Sequence, residues 1–194
     1  MRAGFLFIIS SPSGGGKSTI LRELLRRDPS LYYSISCTTR PPRAGEEDGR
    51  HYFFLPVSEF RRRIRRGELL EWALVHGNYY GTPKRFIDEK TAAGRVVLLD
   101  IDVQGAAKIR RRRADAVSLF LRPPSLKELE ARLRRRRDTR GSIGTRLKNA
   151  RRELARAGEY DYCVVNDRLK PAVARAEAIV LAELLRVGRR SGKI

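Results

Sequence analysis

Short continuous apolar runs alternate along the chain with stretches in which apolar residues return every three or four positions. The runs "FLFIIS" at 5–10, "YYSISC" at 32–37, "RVVLLDIDVQG" at 95–105, "AVSLFLRP" at 116–123 and "YCVVND" at 162–167 read as strands. An apolar run without alternation is the mark of a strand covered on both faces, as in a parallel sheet. Between them, "KSTILRELLRRD" carries helical spacing at Ile20, Leu21, Leu24 and Leu25. "PKRFIDEKTAAG" reads as a helix ended by Gly94, and "KIRRRRA", 142–160 and 169–188 read as further helices. Ser58 is the expected N-cap of a helix stopped by Gly67. Ser125, with Glu128 three residues on, is the expected capping box of another. Strand–helix alternation predicts an α/β fold, a parallel sheet flanked by helices. The stretch 38–54, "TTRPPRAGEEDGRHYFF", is too rich in Pro, Gly and charge for a helix or central strand, and 36–82 reads as an insertion.

Composition narrows the class. At 194 residues the chain suits one domain, and 41% hydrophobic residues suffice for a core. Apolar runs are too short to span a bilayer. The start "MRAGFLFIISS" superficially resembles an export signal, but it enters a glycine loop directly, so it reads as a buried first strand. Cys37 and Cys163 have no metal or redox spacing and are expected to be reduced thiols of a cytoplasmic protein. The net charge of +20 raises nucleic-acid binding as a possibility. The arginine runs lie in helix-like segments, where such runs form solvated faces, and no groove-reading or aromatic-interleaved motif accompanies them.

Between the first strand and first helix lies "SSPSGGGKST". Gly16, Lys17 and Ser18 match the end of the phosphate-loop pattern, while Ser11 stands where that pattern has its first glycine. Glycines let backbone N–H groups converge on a phosphate without an intervening Cβ, and the helix start adds its positive dipole end. Ser11, Pro12, Ser13, Gly14, Gly15, Gly16, Lys17, Ser18 and Thr19 are therefore the expected ATP-binding stretch. Lys17 is expected at the β- and γ-phosphates and Ser18 at Mg²⁺. Asp100 ends an apolar strand, where it is expected to hold the metal through water. Asp102 would point the same way if that strand continued.

Several ordered motifs resemble the guanylate kinase family: 38–52, "EW" at 71–72, "GNYYGT" at 77–82, "LDIDVQG" at 99–105 and "VVND" at 164–167. The resemblance runs over about 4–185. It implies a nucleoside monophosphate kinase-like core (1–35 and 83–194), a GMP-binding insertion (36–82) and a lid near 132–150. The implied reaction is Mg²⁺-dependent transfer of the ATP γ-phosphoryl group to GMP, with dGMP as a further acceptor. Arg40, Arg43, Tyr52 and Tyr80 match the family's monophosphate-binding positions; paired guanidinium forks and hydroxyls suit a phosphate monoester. Glu71 matches the carboxylate that reads guanine, Ser36 and Thr82 the positions that hydrogen-bond the base, and Glu46 and Asp100 further acids of the GMP site. A carboxylate accepts from N1–H and the 2-amino group of guanine, whereas adenine presents an acceptor at N1.

The lid segment "RLRRRRDTRGSIGTRL" departs from the family pattern, since the acidic run is missing. Arg136 and Arg146 are placed on the arginines that clamp ATP and the migrating group, with Arg135 and Arg137 as alternatives to Arg136. Lys17, Arg40, Arg43, Arg136 and Arg146 form the expected catalytic set. Two other readings are a non-catalytic phosphopeptide-binding relative, which would not need Gly16-Lys17-Ser18, and a ribosyl-phosphate kinase, which would not need Glu71, Ser36 and Thr82 together.

Overall fold

The computed structural model describes residues 4–75, 77–135 and 143–187. Five strands form a parallel sheet: β1 (Phe5–Ser10), β2 (Tyr32–Tyr33), β7 (Val96–Asp100), β8 (Val117–Arg122) and β9 (Tyr162–Val165), in the order β2-β7-β1-β8-β9. Its two faces are covered by different helices. Phe5, Phe7 and Ile9 point to one side with Leu98 and Leu119, against α1 (Lys17–Arg27) and α7 (Leu169–Leu185). Leu6, Ile8, Val97 and Leu99 point to the other, against α3 (Lys84–Ala92) and α4 (Val103–Arg112). The period of two in a strand thus splits one apolar run into two cores, so every side chain of Phe5–Ile9 is fully buried. Each such side chain contributes about 1.5–3 kcal/mol by leaving water.

A second, four-stranded sheet has the order β4-β3-β6-β5, from β3 (Cys37–Thr38), β4 (Phe53–Phe54), β5 (Leu69–Val75) and β6 (Asn78–Pro83). Helix α2 (Val57–Arg65) packs Phe60 against it, stacked on Tyr79. Helices α5 (Leu126–Arg135) and α6 (Ile143–Leu154) pack through Leu129, Leu133 and Ala150.

Several expectations change. The run 32–37 is two strands, not one: Tyr32–Tyr33 joins the parallel sheet and Cys37–Thr38 starts the second. Ser34 donates its N–H to the Leu98 carbonyl, the last bond of the first pairing. The strand expected over 95–105 stops at Asp100, because the Asp102 side chain accepts from the N–H groups of Gln104 and Gly105 and caps α4. Asp102 is therefore a helix cap and not a continuing strand residue. Ser58 does not cap α2: the N-cap is Pro56, two residues earlier, with no side-chain cap among the described residues. Half of the expected capping box forms: Ser125 Oγ accepts from the Glu128 N–H, while the Glu128 carboxylate turns to Arg132. No described helix is long and apolar enough to cross a membrane.

Candidate active site

β1 and β7 are neighbours in register, with Ile9 beside Asp100, so the segments following them emerge side by side at the carboxyl edge of the sheet. After β1 the chain turns through 11–16, with Gly14 at φ 88° and Gly16 at φ 93°. A Cβ on Gly16 would stand 2.3 Å from Asn166 Nδ2. The turn is thus legible as glycine for two reasons, left-handed backbone and close approach. Asn166 donates Nδ2–H to the Gly15 carbonyl at 2.8 Å, and the Gly15 N–H bonds Pro12 O at 2.8 Å. These contacts set the loop's shape and leave its remaining amides at the start of α1.

Lys17, in the first turn of α1, reaches across to β7. Its Nζ lies 2.6 Å from Asp100 Oδ1 and 3.3 Å from Ile101 O. Burial disfavours the ammonium, but Asp100, helped by Asp102 and Tyr52, more than offsets it, leaving the pKa above the ordinary lysine value. Ser18, next along, is exposed at the mouth of the loop.

The loop separates two clefts. One, of about 520 Å³, is lined by Ser13, Lys17 and Asp100 from the parallel sheet's edge and by Ser36, Arg40, Arg43, Glu46, Tyr52, Glu71 and Tyr80 from the second sheet. Residues expected to hold the acceptor thus converge opposite Lys17. Glu71, on β5, is 5% exposed and accepts the Thr82 hydroxyl at 2.9 Å from paired strand β6. Burial pushes its pKa up to about 7; the Thr82 hydrogen bond pulls the other way, and Asp102 adds to the rise. Glu46 stands behind the arginines: its carboxylate binds Arg40 in bidentate fashion, at 2.8 and 3.0 Å, and accepts the Arg43 N–H at 2.8 Å. Arg40 also lies over the Tyr52 ring, 5.5 Å from its centroid, and its buried Nε has no partner among the described residues.

The other cleft, of about 300 Å³, is lined by Gly14, Gly16, Thr19, Arg132, Arg135, Asn166, Asp167 and Leu169. Arg132 donates to the Asn166 carbonyl at 3.0 Å. From α6, Arg146 is buried and donates Nη2–H to Ser13 Oγ at 2.8 Å. The Ser13 N–H faces Glu153, two turns further along α6 on the same side, and burial raises that carboxyl's pKa. Arg136 and Arg137 lie outside the described residues. Sequence reasoning missed the gripping roles of Asn166, Arg132 and Glu153. Asn166 stood within the quoted "VVND", but nothing local says that its amide would meet Gly15, 151 positions away.

Comparison with known proteins follows the same lines. The family model described as guanylate kinase matches residues 4–183. The guanylate kinase of Rhizobium meliloti is 51% identical over 193 residues, covering 98% of this chain and 88% of that protein. That of Thermotoga maritima is 44% identical over 192 residues, covering 98% and 93%. The crystal structure of guanylate kinase from Anaplasma phagocytophilum superposes with a TM-score of 0.83 at 34% identity, covering 99% of this chain and 92% of that one. A glycine-built loop, a lysine and acid at its mouth and a basic cleft opposite are thus set in a fold and sequence shared along nearly the whole chain, which belongs to the guanylate kinase family.

Proposed function

We infer that the two clefts carry out the family's reaction, transfer of the γ-phosphoryl group of ATP to GMP with release of ADP and GDP, and that dGMP is also accepted. The observation that carries the acceptor assignment is the buried Glu71–Thr82 pair in the same cleft as Arg40, Arg43, Tyr52 and Tyr80. A carboxylate at one end and guanidinium groups with phenols at the other suit a guanine base joined to a phosphate monoester. The loop of 11–19 would hold the triphosphate on backbone N–H groups, with the adenosine in the cleft of Arg132, Arg135 and Asn166.

The acceptor phosphate is already ionised, so the chemistry needs no strong general base. What remains is to bring two anions into line and neutralise the charge that builds between them. Lys17 would serve for this from the boundary of the two clefts, where its Asp100 partner favours its charged form. Arg40 and Arg43 would draw the acceptor toward it. Arg146 would serve from α6, with Arg136 or a neighbouring lid arginine as its companion. Ser36 would help hold the base, and Glu46 would orient Arg40.

A hard divalent cation such as Mg²⁺ fits the oxygen donors present. Ser18 would offer a hydroxyl from the first turn of α1 and Asp100 a carboxylate from the end of β7. No cluster of three or more acidic, His or Cys side chains exists among the described residues, which suits an ion held chiefly by phosphates and water. When bound, the ion would neutralise β- and γ-phosphate charge.

The decisive assay is ATP consumption with GMP, dGMP, IMP, AMP, CMP and UMP as acceptors. Strong preference for the two guanine nucleotides is expected. Equal turnover of AMP would overturn the assignment of Glu71.

A further inference from the structure

Glu71 lies on β5, the outer strand of the second sheet, where one row of peptide groups lacks a neighbouring strand. Its ladder is irregular there: the register with β6 shifts between Leu69 and Glu71, so Leu70 falls in a bulge. Such a strand end is poorly held by its own sheet. The missing partner comes from the other sheet's helix. Arg112 donates Nη1–H to the Leu70 carbonyl at 3.0 Å, and Lys108 donates Nζ–H to the Trp72 carbonyl at 2.6 Å. These donors lie one helical turn apart on α4, and the carbonyls are two residues apart on β5, so a helix face replaces the absent strand. Glu71 is the residue between Leu70 and Trp72. The start of α4 packs on Glu71 as well: a Cβ on Gly105 would stand 3.2 Å from Glu71 Oε2.

We propose that Lys108 and Arg112 are positioning residues for guanine recognition, holding the carbonyls of Leu70 and Trp72, the residues on either side of Glu71, and thereby fixing its carboxylate from outside the cleft. The inference rests on the reading of Glu71 as the guanine-binding group. It assigns to α4 a role in acceptor choice, although the helix belongs to the parallel sheet. Charge acts in the same direction as geometry. The groups acting on the Glu71 carboxyl are the Thr82 hydroxyl from β6, Asp102 at the cap of α4, and Lys108 and Arg112. The two cations lower its pKa against the rise caused by burial and Asp102. They therefore help keep ionised the form that accepts from two guanine donors.

The test uses the full chain with Lys108→Met and Arg112→Met, alone and together, which remove the donor and charge but keep an apolar stem. The double variant is expected to lose roughly tenfold in kcat/KM for GMP, mainly through KM, the size of one charge-assisted hydrogen bond. Each single variant should lose about threefold, because both donors are exposed and screened. KM for ATP should stay within about twofold. The acid limb of kcat/KM for GMP should move to higher pH, since Glu71 loses two cations that favour its charged form. Lys108→Arg should retain native values. Unchanged GMP efficiency, or an acid limb that does not move, overturns the inference. So does a parallel rise of both KM values with a lower Tm, which would mean the contacts only support the fold. Glu71→Gln serves as the control. If it leaves the GMP/AMP ratio unchanged, the reading of Glu71 itself has failed. If it collapses the ratio while the α4 variants behave as native, only the positioning role has failed.

Discussion

The two halves of the active site are built by different means. On the donor side the expected ligands are backbone N–H groups, and side chains act mainly as braces: Asn166 on Gly15, Arg146 on Ser13 Oγ, Asp100 on Lys17. On the acceptor side the expected ligands are side chains from the segment around β3 and β4 and from β5 and β6, and the central two are oriented by other side chains. Arg40 is held by Glu46, Glu71 by Thr82. The contrast has a physical cause. An amide's direction is set by φ and ψ, which a buried turn already fixes. A guanidinium on a flexible stem keeps its rotamer freedom until a partner removes it, at up to about 2 kcal/mol for each side chain ordered. Base identity also requires hydrogen-bonding groups of chosen sign, which a side chain such as Glu71 supplies in the form guanine needs. The phosphate site is therefore a matter of chain path, and the base site a matter of paired side chains.

The difference can be broken first at the boundary. Lys17→Ala should lower kcat by on the order of 10²–10³-fold, because its charge matters most as the phosphoryl group moves. GMP affinity measured by calorimetry should survive. A near-native kcat would remove the loop assignment.

A backbone-built site should also be the more sensitive to a single methyl group. Gly16 and Gly45 both have positive φ, at 93° and 79°, but of the two Gly16 is hemmed in, by Asn166, while among the described residues nothing lies within 4 Å of a Cβ on Gly45. Gly16→Ala should destabilise by roughly 3 kcal/mol or more and raise KM for ATP, whereas Gly45→Ala should cost only about 1–2 kcal/mol from backbone strain. Denaturant midpoints and ATP titrations of both variants decide it. Equal effects would mean that the loop yields more easily than its packing implies.

On the acceptor side, Glu71→Gln keeps size but removes the charge and one acceptor. It should lower kcat/KM for GMP by about 1.5–3 kcal/mol, while AMP holds or gains, since an amide donates to adenine N1. IMP, which lacks the 2-amino group, should fall between GMP and AMP on the native protein.

The smallest expected effect sharpens the role of the braces. Arg146→Ala should reduce kcat about tenfold with a smaller change in KM, if its contact strengthens as charge develops. A change confined to KM would make it a support of the loop through Ser13 alone.

How much was legible in the sequence varied with distance along the chain. Gly14, Gly16 and Lys17 were readable because loop, helix start and lysine lie within a few residues, and their conformational demands are written in residue type. Arg40, Arg43 and Glu71 were readable through ordered motifs, yet their convergence on one cleft was not derivable from spacing. Glu46 was expected among the acceptor's own contacts; the structure shows its carboxylate engaged by Arg40 and the Arg43 N–H. Asp102 misled because an acid two residues past a strand resembles a continuing strand, and only its capping of Gln104 and Gly105 shows where α4 starts.

By itself, the sequence determined the alternation of buried strands and helices, the position of the phosphate loop and the residue types at the acceptor cleft. These follow from local rules: apolar periodicity, glycine at positive φ, and chemistry carried by single side chains. Tertiary structure alone decided which partners hold those groups. Asn166 reaches Gly15, Arg146 reaches Ser13, and Lys108 with Arg112 flank Glu71. Such contacts join positions dozens to more than a hundred residues apart. They depend on which strands become neighbours in a sheet, and no local pattern of residues encodes that adjacency.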